Sequence, residues 1–164
     1  SARRMAFPAL ARMRPTTVLE DVSVPRSRLV EMVQAVGRIA QSSGLMIGTF
    51  GHAGDGNLHP TILLDERDPD EVRRMEKAFE QICEAALGLG GSLTGEHGVG
   101  LLKRDFLERF SDPHALETMR RFRAVMDPRQ ILNPGKMFQS RPRREGQLPV
   151  HAGQCTPMLE GLKP

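Results

Sequence analysis

The sequence predicts an α+β domain, an antiparallel sheet with helices packed on one face. Three observations lead there. Two apolar stretches, Leu45 to Phe50 and Leu58 to Leu64, are joined by a turn too short for a parallel crossover. Segments before and after them carry apolar residues at helical spacing. The order is helix, strand, helix, strand, strand, helix, strand, helix, helix, which sets strands side by side instead of alternating them with helices.

Taken in order, ARRMAFPALARM is an amphipathic helix that stops before Pro15. TTVLEDVSV, Thr16 to Val24, alternates in part, ends at Pro25 and is expected to be a strand. From Arg26 to Ser43, Leu29, Met32, Val33, Val36, Ile39 and Ala40 recur at helical intervals, and Gly44 closes the helix. The strand pair follows. Asp68-Pro69-Asp70-Glu71 starts the next helix with an Asp cap, a proline in the first turn and acids where the helix dipole favours them. Its stripe is Val72, Met75, Phe79, Ile82, Cys83 and Ala86, ended by Gly88, Gly90 and Gly91. SLTGEHGVG is β-like. A short helix from Leu101 to Phe110 follows. A capped helix from Asp112, with Leu116, Met119, Phe122, Val125 and Met126 along one side, completes a domain of residues 1–139. Residues 140–164 have no period and many breakers, and are expected to form an irregular tail.

A chain of 164 residues suits one domain with its own core. Tyr and Trp are absent, so the core must rest on Leu, Val, Ile, Met and a few Phe. The net charge of +3 is small and the arginines are not focused on one element, which argues against a nucleic-acid partner. Two cysteines give no disulfide framework, and Cys83 falls in a helical stripe as a small hydrophobe. No apolar run approaches the length of a membrane span. The opening SARRMAFPALARMRP is Arg-rich and free of acid, as transit peptides are, but its helical pattern and the missing initiator Met favour an interior piece of a longer protein.

The chemistry is concentrated in FGHAGDGNLHPTILLD. With His52 ending one strand and His59 beginning the next, the intervening residues reverse the chain. Gly and Asn accept positive φ there, and Asp55 can bond its own turn or orient a histidine. Two neutral imidazoles near a hairpin mouth suit Zn²⁺, Fe or Mn. Two histidines alone also fit an ordinary hairpin, since a metal site requires three or four ligands. GGSLTGEHGVG offers a third, Glu96, followed by His97. Neighbours in a strand point to opposite faces, so both can serve one pocket only if the backbone turns, which Gly95, Gly98 and Gly100 permit. A phosphate-binding loop is disfavoured, because GEHGVG is not GxGxxG and its carboxylate would repel phosphate.

GHAGDGNLHP, then GGSLTGEHGVG, then DPRQILNPGKMF, in that order, resemble the C-terminal domain of FAD-linked oxidases of the vanillyl-alcohol oxidase type. The likeness is to the branch that holds the glycolate oxidase D subunit and the FAD-dependent D-lactate and D-2-hydroxyglutarate dehydrogenases. It spans roughly residues 1–138 and includes ARRMAFPALARMRP and DVSVPRSRL. The tail departs from the family's usual end.

The resemblance implies a partial cap domain that covers a flavin held by an N-terminal domain absent from this chain. His52, His59 and Glu96 match the family's metal ligands, with Zn²⁺ foremost and Fe or Mn as alternatives. His97 matches the catalytic base, and Arg3 the arginine that grips a substrate carboxylate. Asn133 and Lys136 resemble the segment that runs back toward FAD, although a Pro-Gly turn with a solvated lysine explains them nearly as well. Leu19 stands where some relatives carry a lysine. The implied activity is oxidation of a small D-2-hydroxy acid to the 2-oxo acid. The implied partners are the FAD-binding domain or other oxidase subunits, in the cytoplasm, with any contact to the inner face of a membrane made through those subunits. The chain alone is expected to be inactive, and two copies could pair as a homodimer. The alternative is a stand-alone metal- or ligand-binding module without catalysis.

Overall fold

A computed structural model describes residues 2–138, with side chains described from Met5 onward. The elements are α1 (Ala2–Ala11), β1 (Thr16–Leu19), β2 (Val22–Ser23), a 3-10 turn (Arg26–Arg28), α2 (Leu29–Ser43), β3 (Met46–His52), β4 (Asn57–Leu64), α3 (Pro69–Gly88), α4 (Arg104–Phe110) and α5 (Pro113–Met126). The α+β expectation holds. The tail beyond Phe138 lies outside the described residues.

β4 is the centre of the sheet. It pairs antiparallel with β3 on one side and with β1 and β2 on the other. The strand expected over Thr16 to Val24 is split, and Pro60 explains the split. Leu19 faces Thr61 and Val22 faces Leu58, so the register runs on without an inserted residue. Glu20 N–H donates to Pro60 O at 2.8 Å, but proline has no N–H to return.

All eight residues of β4 are buried. Leu58, Ile62 and Leu64 pack with Met32 and Val36 of α2 and Met75 and Ile82 of α3 in the main core. Each such side chain contributes about 1.5–3 kcal/mol by leaving water. Asn57, His59, Thr61 and Leu63 alternate onto the opposite face. There α1 adds a contact: a Cβ on Gly48 would fall 2.7 Å from Leu10 Cδ1.

The expected helix ends are present. Asp68 accepts from Asp70 N–H at 2.8 Å, Asp112 accepts from His114 and Ala115 N–H, and Gly44 ends α2 at φ +63°. Two expectations are corrected. SLTGEHGVG is not a strand: only Ser92 bridges to Ser23, and the rest is a loop whose amides turn inward. The stripe of α5 contributes only Leu116 to the buried set, while Phe122, Val125 and Met126 are exposed. No helix among the described residues is long and apolar enough to cross a membrane.

Glu20, at the strand break, is buried beside Lys103, whose Nζ lies 3.7 Å from Glu20 Oε2 and donates to the Asp21 carbonyl. Burial pushes the Glu20 carboxyl up to about 8, against the pull of Lys103. The folded chain therefore keeps a proton that the unfolded chain releases above the ordinary glutamate range. The associated stability is complete below that range and drains away as pH rises through about 8. We expect urea unfolding to show a loss on the order of 3 kcal/mol between pH 5 and pH 8.5. Glu20→Gln should flatten the profile; an unchanged slope in that variant would exclude Glu20 as the cause.

Candidate metal centre

The hairpin register sets the first half of the site. Phe50 faces His59 and His52 faces Asn57, so all four side chains share one face of the sheet. The turn between the strands is closed by Asp55 N–H donating to His52 O at 3.0 Å. Gly56 sits at φ +74°, and a Cβ there would fall 2.0 Å from Val24 O. Only glycine fits. The His52 and His59 rings meet nearly edge to face, with centroids 5.4 Å apart.

The loop after α3 supplies the second half, and Asp21 holds it in place. Asp21 Oδ2 accepts from Thr94 Oγ1 at 2.6 Å and from the N–H groups of Gly95, Glu96 and His97 at 2.9, 3.0 and 2.8 Å. Burial opposes a charge on Asp21. The Thr94 hydroxyl and the His97 and Glu96 amides, with Lys103, nevertheless hold its carboxyl well below the usual range. Leu93 anchors the other side of the loop in a small cluster with Phe79 and Cys83. Gly95 seats the backbone against β4, where a Cβ would fall 2.4 Å from Asn57 Oδ1.

This loop turns two sequence neighbours into one cleft. Glu96 Oε1 lies 3.2 Å from His52 Nε2 and 3.1 Å from His59 Nε2. The His97 ring stacks on His59 at 4.9 Å, with its Nε2 3.9 Å from Glu96 Oε1. The cleft is lined by Leu19, Phe50, Gly51, His52, His59 and His97.

The donor set fits a divalent cation. Ligand atoms of His52, His59 and Glu96 all lie within 4.8 Å of one another. A tetrahedral shell with bonds of about 2.1 Å has ligand-to-ligand edges of roughly 3.4 Å. Burial first, and then His97, lowers the His59 pKa against the pull of Asp21 and Glu96, a shift toward the neutral form that a ligand requires. His59 is buried while Glu96 is exposed, so the group opens to solvent on one side. A second grouping, Asp21, His59 and His97, meets the same distance limit; there Asp21 could offer only Oδ1, because its Oδ2 is engaged by the loop.

Of the other expected residues, only Asn133 and Lys136 have described side chains, and they lie away from the cleft. The Arg3 side chain is outside the described residues, although its backbone belongs to α1. Asn133, at φ +47°, and Lys136 sit on a tight turn. Arg123 donates to the carbonyls of Leu132, Asn133 and Lys136, and Met137 N–H donates to Gly100 O at 2.8 Å. That turn borders the glycine loop but not the cleft. Cys83 is buried, and burial pushes its thiol up to about 12. Asp21 is the residue that sequence reasoning missed. Its one signal is the acidic pair Glu20-Asp21 inside an otherwise uncharged strand.

The family model described as FAD linked oxidases, C-terminal domain, matches residues 1–137. The chain belongs to that family. This FAD-linked oxidase domain is 54% identical over 137 residues to the glycolate oxidase subunit GlcD of Bacillus subtilis (strain 168), covering 84% of this chain and 29% of the relative. The corresponding subunit of Escherichia coli (strain K12) is 35% identical over 163 residues, covering 98% of this chain and 33% of the relative. The probable mitochondrial D-lactate dehydrogenase of Danio rerio is 39% identical over 140 residues, covering 84% of this chain and 28% of the relative. The FAD-linked oxidase domain thus spans 28–33% of the length of these curated relatives. The family is one of FAD-linked oxidoreductases, so FAD is the cofactor it implies.

Proposed function

We propose that this chain is the substrate- and metal-binding portion of a flavin-dependent oxidoreductase that oxidises a D-2-hydroxy acid, of the glycolate or D-lactate type, to the 2-oxo acid. One observation carries the reading: a single carboxylate oxygen, Glu96 Oε1, stands within 3.2 Å of both His52 Nε2 and His59 Nε2. The names of the relatives, glycolate oxidase subunit and D-lactate dehydrogenase, supply the substrate class.

His52, His59 and Glu96 hold the cation, Zn²⁺ foremost and Fe or Mn next. A bound metal supplies Lewis-acid polarisation of the substrate hydroxyl, and FAD supplies the hydride acceptor. The substrate loses a hydride from C2 and a proton from its hydroxyl. His97 takes that proton at Nε2, the side of its ring nearer Glu96. Leu19 and Phe50 give the cleft an apolar wall that limits water beside the reacting carbon. Arg3 grips the carboxylate through a two-pronged ion pair. FAD is held mainly by a separate flavin-binding domain, with Asn133 and Lys136 at its border. The setting is cytoplasmic, with partner subunits making any membrane contact.

The chelator-stripped chain should take up one equivalent of Zn²⁺ in a calorimetric titration. A protein that joins it to its flavin domain should show FAD reduction by glycolate or D-lactate only after metal is restored. Metal uptake without FAD reduction by any 2-hydroxy acid would leave a non-catalytic binding module. No uptake would remove the metal reading.

A further inference from the structure

Two buried atoms in the site have no use so far. Asp21 Oδ1 and His59 Nδ1 lie 3.7 Å apart, and neither has a hydrogen-bond partner among the described residues. Their residues are only 1% and 4% exposed. A buried polar atom left unpaired destabilises the fold. Two such atoms facing each other, about half an ångström beyond hydrogen-bond reach, are poised to pair once the ring is drawn toward Oδ1.

We propose that Asp21 is a positioning residue that holds the His59 proton on Nδ1, keeping the Nε2 lone pair free for a cation, while its other oxygen seats Glu96 and His97. The inference rests on the metal reading above but assigns a role to a residue outside the ligand set. A neutral imidazole carries one proton, on either nitrogen. A cation at Nε2 requires that proton on Nδ1. Asp21 Oδ1 is the acceptor facing Nδ1, and Glu96 Oε1 faces Nε2 at 3.1 Å. Two carboxylates therefore compete for one ring proton, one at each end. When Glu96 turns its oxygen to a cation, that competition ends and Asp21 takes the proton's hydrogen bond. Four donors converge on Asp21 Oδ2 and favour the ionised carboxylate, which accepts at both of its oxygens. One carboxylate thus spans β4, which bears His59, and the loop that bears Glu96.

The design makes Asp21→Asn a sharp test. The amide oxygen must face the four loop donors, since an NH₂ there would meet N–H and O–H groups head-on. The NH₂ is left facing His59 Nδ1, where it favours a bare Nδ1 and sends the proton to Nε2, the ligand atom. The full chain would be measured by chelator competition for Zn²⁺ and by proton NMR of the Zn²⁺-loaded state, with amide spectra reporting whether residues 94–97 keep their seat. Expected are a 10–100-fold loss of Zn²⁺ affinity in Asp21→Asn with the loop amides in place, and a strongly downfield Nδ1–H of His59 in the unsubstituted chain that moves upfield in the variant. Thr94→Val weakens the loop clamp but leaves Oδ1 alone, so it should keep that downfield proton. Wild-type Zn²⁺ affinity in a folded Asp21→Asn overturns the proposal. So does the absence of the downfield proton from the Zn²⁺-loaded unsubstituted chain, a reading that needs no variant. If the unsubstituted chain takes up no Zn²⁺, the metal reading fails first and the purpose assigned to Asp21 fails with it. Uptake with Asp21→Asn unaffected sinks the Asp21 role alone.

Discussion

His59→Ala is expected to empty the metal centre, with Zn²⁺ affinity falling more than ~100-fold, beyond the loss that a missing supporting partner causes. His59 is the buried member of the set. Its Nε2 is 3.1 Å from Glu96, its ring meets His52 edge-on, and it sits on the central strand between Asn57 and Thr61. Removing it leaves His52 and Glu96, both more exposed, as a two-ligand remnant. Two ligands are too few for a stable Zn²⁺ site. Metal content after gel filtration, measured on the flavin-bearing protein beside its unsubstituted form, decides the matter. Equal metal per chain in the two proteins would rule out His59 as a ligand.

His97→Ala should do the reverse: turnover down by about 10²–10⁴-fold, with metal content close to wild type. The two histidines differ in surroundings, although their rings are stacked 4.9 Å apart. The side chain of His97 is 43% exposed and its Nε2 is 3.9 Å from Glu96 Oε1, farther than either proposed imidazole ligand. That position leaves its nitrogen available to a substrate in the cleft. Parallel measurement of kcat and bound metal separates the roles. Equal losses of both would make His97 a ligand and favour the alternative grouping of Asp21, His59 and His97.

Local signals in the chain carried much of the fold. The caps at Asp68 and Asp112, the Gly44 stop and the hairpin between His52 and Asn57 all appear where capping and turn chemistry put them. Each depends on atoms within a few residues, so sequence spacing suffices to find it. SLTGEHGVG misled for a related reason. Its composition suits a strand, but Gly98 and Gly100 adopt φ of +76° and +57°, and its amides bond to a carboxylate instead of a neighbouring strand. The break after Leu19 was hidden as well, because the missing donor belongs to Pro60 on the opposite strand.

The sequence by itself determined the class of the domain, the hairpin that pairs two imidazoles, and the motifs that align it with the FAD-linked oxidases. Only the tertiary structure decided which atoms converge. Asp21 meets Thr94 and the three amides after it across separations of 73 to 76 positions. The burial of Glu20 against Lys103 spans a comparable distance along the chain. No periodicity encodes such contacts, because they exist only once β4 has drawn its neighbours together and excluded water from between them.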